Sequence, residues 1–219
     1  MIYIRAGLYA EGRTDYEFLL PMINRLLDEL AAKMFSGAYE LVETLGIDAP
    51  SGTGSTRAAR IQQAVLGAID SCEIFVLHAD GASDPEGVRQ SQITPGMQAL
   101  HSIVPHLQIH FVACIPVREI EAWLLADSRP FERVLGKARP ILLPKQPEAE
   151  MDPKNSLRKI LKDGDVRIPV NEVYRSFGEN ARFEQLRALP AFRRFEEELI
   201  EVFKSLGTAQ GFRSTTSLP

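Results

Sequence analysis

The sequence predicts an α/β protein with a mainly parallel, four-stranded sheet that carries helices on both faces, followed by a helical C-terminal extension. Two observations predict this fold class. Strand-like and helix-like segments alternate four times over residues 1–128, which is the order of parallel strands joined by helical crossovers. The third strand-like segment, "EIFVLHAD", is apolar almost throughout, as is typical of a parallel strand covered on both faces.

Each element follows from a local pattern, taken in chain order. Strands are predicted at four apolar, β-prone runs: 2–10, 39–47, 73–80 and 107–117. Helices are predicted after them, at 14–34, at 56–72, at 88–104 and from residue 118 onwards. Thr14 or Asp15 is expected to cap the first helix, and Pro21 is expected in or near its first turn. The third helix is expected to be interrupted near Pro95.

The character of the chain changes after residue 128. The segment 129–155 contains five prolines, which is typical of a long connection on the protein surface. Three helix-like segments follow it. We therefore divide the chain into an α/β domain at 1–128 and a second part at 129–219, in which a proline-rich connection leads to helices that pack on the first domain.

Composition excludes several classes of protein. The formal net charge of −4 is unlike that of proteins that coat nucleic acid nonspecifically, which are usually basic. No apolar run has the length of a membrane span, and the first run contains Arg5, so we expect neither a membrane partner nor a signal peptide. Cys72 and Cys114 lie outside any zinc-site spacing. These features predict a cytoplasmic protein.

Acidic residues follow three of the predicted strands. Glu11-Gly12 ends the first, Asp80-Gly81 ends the third, and Glu119 and Glu121 follow the fourth. Because the carboxyl ends of parallel strands meet at one edge of a sheet, we expect these acids to lie close together. Crowded carboxylates repel one another unless a cation joins them, and oxygen ligands suit Mg²⁺ or Mn²⁺. The glycines would let a metal or phosphate approach the backbone.

Simpler interpretations exist for the individual acids. A single acid after a strand is most often a turn former or a helix cap, which is the role expected of Asp15 and which Asp84 can also fill at the start of the next helix. Glu119 and Glu121 are two residues apart, so on a helix they would point in different directions. One of them would then bind metal while the other caps the helix or pairs with Arg118. The joint pattern after three strands favours a metal site.

Three stretches resemble a known family. In order, "AEGRTDYEFL", "VLHADG" and "IPVREIEAWLLAD" are similar to conserved motifs of Toprim domains. The chain resembles in particular a bacterial Toprim-like family that is related to the Toprim domains of OLD-family nucleases and is often found beside ATPases in defence-type loci. The resemblance covers 1–130, and it extends more loosely through "DPKNSLRKIL" and "LRALPAFRRFEEEL". It implies a Toprim/Rossmann-like sheet and divalent-metal chemistry.

The resemblance also assigns site residues. Glu11 matches the family glutamate, and Asp80 matches the second acid of an Asp-x-Asp motif whose first acid is replaced here by His78. His78 is then either a metal ligand that shifts the preference from Mg²⁺ towards Mn²⁺, or a structural residue, and Asp84 is the alternative source of the missing carboxylate. Lys154, in the shared "DPKN", is the candidate phosphate contact.

Three functions follow as hypotheses. The first is a metal-dependent nuclease with Glu11, Asp80 and Lys154 as catalytic residues, acting on DNA in preference to RNA, in a defence-type system with an ATPase encoded separately. The second is a non-catalytic Toprim-like module that docks on such an ATPase. The third is an enzyme that binds a nucleotide or phosphate as a small ligand at the same sheet edge. The loop "SGTGST" lacks the Gly-Lys of a Walker motif, so no ATP site is expected in this chain. Arg57 and Arg60, which follow that loop, are candidates to face the same sheet edge.

Overall fold

The fold is that of a computed structural model, which describes residues 2–54, 56–135 and 141–209. Four parallel strands form one sheet in the order β2-β1-β3-β4. The strands are Ile2–Tyr9 (β1), Tyr39–Ile47 (β2), Ile74–His78 (β3) and His110–Cys114 (β4). The predicted fold class, a parallel four-stranded α/β sheet with a helical C-terminal region, is confirmed.

Helices connect and follow the strands. Within the strand-bearing part they are α1 (Arg13–Met34), α2 (Arg57–Ala68), α3 (Pro85–Val88), a π-helical turn (Arg89–Ile93), α4 (Thr94–Ile103) and α5 (Glu121–Leu124). The remainder are α6 (Ser128–Leu135), a 3₁₀ turn (Pro147–Ala149), α7 (Pro153–Asp163), α8 (Val170–Asn180), α9 (Phe183–Leu186) and α10 (Pro190–Ala209). The break expected near Pro95 is therefore the π-helical turn that precedes α4.

The N-cap residue of α1 is Gly12, and Asp15 contributes to the cap from the third helical position by accepting a hydrogen bond from Gly12 N–H. The prediction for Pro21 was wrong, because it lies inside α1 well past its first turn. A proline removes one backbone hydrogen bond from a helix and crowds the preceding turn. The long buried face of α1, which includes Phe18 and Met22, supplies the tertiary packing that offsets this cost.

Both faces of the sheet are covered by helices. Alternate strand residues point to opposite faces, so each face has its own core. On one face, Ile4 and Val76 belong to a core that also contains residues of α1, α8 and α10. On the other face, Phe75 and Leu77 pack with residues of α2 and α4. The C-terminal helices therefore complete the core of the first face. None of the helices in 2–54, 56–135 and 141–209 is both long enough and apolar enough to cross a membrane.

Helix α8 lies directly against α1. At Gly178 a β-carbon would come within 2.2 Å of the Phe18 carbonyl oxygen, so the two helices approach more closely than any side chain would permit. Arg25 of α1 donates hydrogen bonds to the carbonyl oxygens of Gly178 (2.7 Å) and Ala181 (2.8 Å) at the end of α8. These contacts fix the C-terminal helices relative to the sheet.

Candidate functional site

The candidate site lies at the carboxyl edge of the sheet, beside β1 and β3. After β1 the chain continues to β2 on one side, and after β3 it continues to β4 on the opposite side. The connections that leave the neighbouring strands β1 and β3 therefore diverge. Such a point in a parallel sheet opens a crevice, and ligands bind there in open α/β folds. Acidic residues follow β1, β3 and β4 at this edge.

His78 is the buried centre of this cluster, with a side chain only 1% exposed. Its Nδ1 lies 2.9 Å from the Cys114 carbonyl oxygen, which can only accept, so Nδ1 carries the hydrogen. Burial lowers the pKa of His78, although nearby Asp80 opposes the effect, and the neutral ring therefore presents a bare lone pair at Nε2. That atom faces Asp15 Oδ2 at 3.7 Å and Asp80 Oδ1 at 3.6 Å, both beyond hydrogen-bond length.

The two aspartates are themselves perturbed. Burial raises the pKa of Asp15 to about 6, with Glu121 adding to the rise and the Gly12 N–H opposing it. The Asp80 side chain is 53% exposed, and partial burial of its carboxyl group raises its pKa to about 6, with Asp15 and Glu121 adding to the rise and His78 opposing it. The two carboxyl groups and the imidazole Nε2 thus converge with no hydrogen bond between them. Such an arrangement is relieved by a proton or by a cation.

Asp15 is the acid whose place in the cluster the sequence interpretation missed. It was expected to be only a helix cap, and it does accept a hydrogen bond from Gly12 N at 2.9 Å. The same Oδ2 atom also faces His78. A signal was present in the sequence: a helix that begins directly at a strand end places its first turn over the sheet edge, so Asp15 belongs there with Glu11.

Glu119 and Glu121 point in the same direction, contrary to the prediction. Helix α5 begins only at Glu121, and Arg118 has a positive φ of 63°, so the helical spacing on which that prediction rested does not apply to Glu119. Lys154 Nζ lies 3.2 Å from Glu119 Oε2 and 3.2 Å from Glu121 Oε1. The Tyr174 hydroxyl also donates to Glu121 Oε1, at 2.5 Å.

Lys154 is therefore bound to acids rather than free for phosphate. Burial alone would lower its pKa, but Glu121 and Glu119 raise the pKa above its usual value, and the side chain keeps its charge. Lys154 belongs to α7 and Tyr174 to α8. The C-terminal helices thus supply two residues of the site, and the sequence pattern gave no signal for Tyr174, which reads as an ordinary core position of a helix.

Glu11 is placed with arginines. Its Oε1 lies 2.5 Å from Arg57 Nη1 and 3.6 Å from Arg60 Nη2, and the side chain is 46% exposed. Arg57 and Arg60 thus lie at the carboxyl edge of the sheet, for which the sequence made them candidates. Glu11 acts on the pKa of Asp15 and His78 through its charge, and its direct ionic contacts are to the guanidinium groups.

Asp84 and Gly81 have structural roles. The Asp84 carboxylate accepts from Gly87 N at 2.9 Å and caps α3, on an exposed part of the loop. A β-carbon at Gly81 would lie 2.3 Å from the Pro116 carbonyl oxygen, so glycine is required there by a neighbouring loop. At Gly12 the nearby atom is the Asp15 carboxylate. Gly81 thus has a reason other than the predicted approach of a metal or phosphate.

The donor set combines two kinds of ligand: carboxylates suit a hard divalent cation, and the imidazole shifts the preference from Mg²⁺ towards Mn²⁺ or a transition metal. Asp15, Asp80 and the Nε2 of His78 offer two carboxylates and a neutral imidazole, with Glu119 and Glu121 beside them. Within the described ranges, no three His, Cys, Asp or Glu side chains are already arranged around one point as metal ligands. In the present arrangement the Lys154 ammonium lies between the two glutamates.

Comparisons of the chain with models of protein families, with curated proteins and with solved structures find no match.

Proposed function

We propose that this chain is a divalent-metal-dependent phosphodiester hydrolase that acts on nucleic acid, with Mg²⁺ or Mn²⁺ as the ion. One observation carries the proposal. Asp15 and Asp80, both with a pKa raised to about 6, flank the neutral Nε2 of His78 at the carboxyl edge of a parallel sheet. Perturbed carboxylates clustered at a crevice are typical of catalytic sites, and a bound cation would remove their repulsion.

The residues have distinct roles in this proposal. Asp15, Asp80 and His78 hold the ion, with Glu119 and Glu121 available as further ligands. A divalent ion at such a site polarises a phosphate and lowers the pKa of bound water. Lys154 would exchange its glutamate contacts for a phosphate oxygen and neutralise negative charge there. The resemblance of "VLHADG" to a Toprim motif supports Asp80 as a ligand, with DNA favoured over RNA. The family glutamate of "AEGRTD" is Glu11, which pairs with Arg57 here.

A second candidate function is a non-catalytic Toprim-like module that docks on an ATPase encoded separately. The position of Lys154 favours it, because the ammonium already neutralises Glu119 and Glu121 without a metal ion. A histidine in place of the first motif acid also removes one anionic ligand. In this case the cluster would stabilise the fold, and any nucleic acid would be bound without being cut.

The deciding experiment is a cleavage assay with matched variants. Circular, linear and single-stranded DNA and RNA are each incubated with the pure chain in Mg²⁺ and in Mn²⁺. Asp80→Asn and Asp15→Asn should lower the cleavage rate about a thousandfold or more, since ligands of one ion act as a unit. Asp84→Asn is the control: it makes the same chemical change in the loop after Asp80, outside the cluster, and should cleave as the wild type does.

The outcomes separate the two candidates. Equal loss in Asp84→Asn would mean that the loop rather than the cluster is needed. Cleavage that persists in both cluster variants would contradict the assignment of these aspartates. A wild-type chain that cuts none of the substrates in either metal would favour the binding module.

A further inference from the structure

Two arginines at the start of α2 lie beside the acid cluster. Arg57 Nη2 donates to the His78 carbonyl oxygen at 2.6 Å, and Arg57 Nη1 donates to Gln92 Oε1 at 3.0 Å. The Arg57 side chain is only 13% exposed. Its guanidinium is thus held in place by neutral acceptors, which orient the group without cancelling its charge.

Among the described residues, a single carboxylate forms ion pairs with both arginines. Glu11 Oε1 contacts both guanidinium groups, Arg57 at 2.5 Å and Arg60 at 3.6 Å. Two guanidinium groups thus share one directly contacting carboxylate. In the part of the chain that the structure describes, the Nε atoms of Arg57 and Arg60 are also buried without a hydrogen-bond partner. The pair is therefore only partly matched by acceptors among the described residues.

We propose that Arg57 and Arg60 form a phosphate-binding subsite, whose place the Glu11 carboxylate takes when no substrate is bound. Guanidinium groups bind phosphate oxygens through paired, charge-assisted hydrogen bonds, and a phosphate has more acceptor atoms and charge than a carboxylate. Arg57 is tied to the backbone of His78, the residue whose ring faces Asp15 and Asp80. The subsite would hold one phosphate of a substrate next to the acid cluster.

This inference rests on the proposed function, and it deepens that function by giving the substrate a second contact. It assigns Glu11 as a competitor of the substrate phosphate at the arginines. Removing an arginine charge should then weaken phosphate binding, whereas removing the Glu11 charge should strengthen it. No general loss of fold or of site structure gives changes in these opposite directions.

The test measures binding with cleavage switched off. In EDTA, the affinity of the full chain is measured by calorimetry for inorganic phosphate and by fluorescence anisotropy for a 5′-hydroxyl oligothymidine of about eight nucleotides. Arg60→Gln should weaken binding of at least one probe by about tenfold, and Glu11→Gln should tighten it by a similar factor. Arg60 and Glu11 are both partly exposed, so both variants should fold.

Controls of equal charge separate a subsite from general electrostatics. Arg167→Gln removes an arginine that is 84% exposed and pairs with Asp165, and Glu40→Gln removes an exposed acid of β2. Both should leave affinity within about twofold of the wild type, since exposed charges at a distance are screened. A response to inorganic phosphate alone assigns the subsite to a terminal phosphate, and a response to the oligonucleotide assigns it to an internal diester.

Two results would overturn the subsite. In one, Arg60→Gln and Arg167→Gln weaken binding equally, which would show that the loss of affinity comes from the net charge of the protein and not from a subsite. In the other, Glu11→Gln fails to tighten binding, so that Glu11 is no competitor. Because EDTA removes the metal, a subsite that passes this test stands even if no cleavage is found. Cleavage with the wrong binding pattern would remove the subsite alone.

Discussion

At the scale of single residues, the orientation of His78 links the two halves of the site. In the sheet register His78 is the partner of Cys114, and its Nδ1–H is held by the Cys114 carbonyl oxygen. The sheet therefore fixes which ring nitrogen faces the aspartates. The backbone carbonyl of the same residue holds Arg57. The end of β3 thus positions the His78 Nε2 for the acid cluster and the Arg57 guanidinium for the proposed phosphate-binding subsite.

The raised pKa of Asp15 predicts a stability effect with a defined sign. The pKa of Asp15 is about 6 in the folded chain, whereas its ordinary value is 3.8. As the pH rises from 3.8 to about 6, ionisation of Asp15 progressively lowers the free energy of unfolding. Above about pH 6 this loss of stability stays constant. His78 has the opposite slope, because its lowered pKa costs stability as the pH falls through about 6.5. A variant that lacks only the Asp15 charge isolates the first effect.

We therefore predict that Asp15→Asn, in EDTA, raises the free energy of unfolding at pH 8 by about 1–3 kcal/mol and changes it little at pH 4. Asparagine can still accept the Gly12 hydrogen bond, so the cap should survive. Urea denaturation at both values measures the difference. If the variant is less stable than the wild type at pH 8, the ionised carboxylate stabilises the fold, and our account of the cluster is wrong.

At the scale of elements, the sequence predicts most of the sheet because its signals are local. Apolar runs that end in an acid and a glycine mark the strands β1 and β3, and the spacing of apolar residues marks α1. The direction of Glu119 could not be predicted, because it depends on a left-handed residue, Arg118, that pairs with Ala82 in a neighbouring loop. Contacts between loops leave no periodic trace in a sequence.

The same limit applies to residues that reach the site from distant elements. Tyr174 reaches Glu121 across 53 residues of sequence, and only the packing of α8 on α1 brings it there. That packing depends on Gly178, where the helices meet without a side chain between them. Nothing in the sequence distinguishes Gly178 from other glycines inside helices.

Gly178→Ala should consequently destabilise the chain. Its β-carbon would meet the Phe18 carbonyl oxygen at 2.2 Å and Pro21 Cγ at 2.7 Å, so α8 must move away from α1. We expect a loss of about 1–3 kcal/mol or more in the free energy of unfolding, measured by urea titration. Gly67→Ala in α2 is the control, since nothing lies within 4 Å of its β-carbon position. It should gain up to about 1 kcal/mol from helix propensity. Equal effects would contradict the close contact.

At the scale of the whole molecule, the C-terminal helices are part of both the core and the site. Lys154 and Tyr174 complete the acid cluster, and Arg182 binds the buried Asp127 through paired hydrogen bonds. The sequence division at residue 128 follows a real change in local sequence pattern, from alternating strands and helices to prolines and helices. A local pattern reports only local structure, however. Lys154, Tyr174 and Arg182 contact residues on the other side of that boundary.

A single cooperative unfolding transition is the last prediction, and Trp123 makes it measurable. It is the only tryptophan of the chain, it is fully buried, and its ring packs against Phe192 of α10 at 5.2 Å between centroids. Its fluorescence therefore reports contact between the strand-bearing part and the C-terminal helices, whereas far-ultraviolet circular dichroism reports all helices. Because one core joins them, both signals should change at the same urea concentration. A Trp123 transition that precedes the loss of helix would show that residues 1–128 and 129–219 separate before either unfolds.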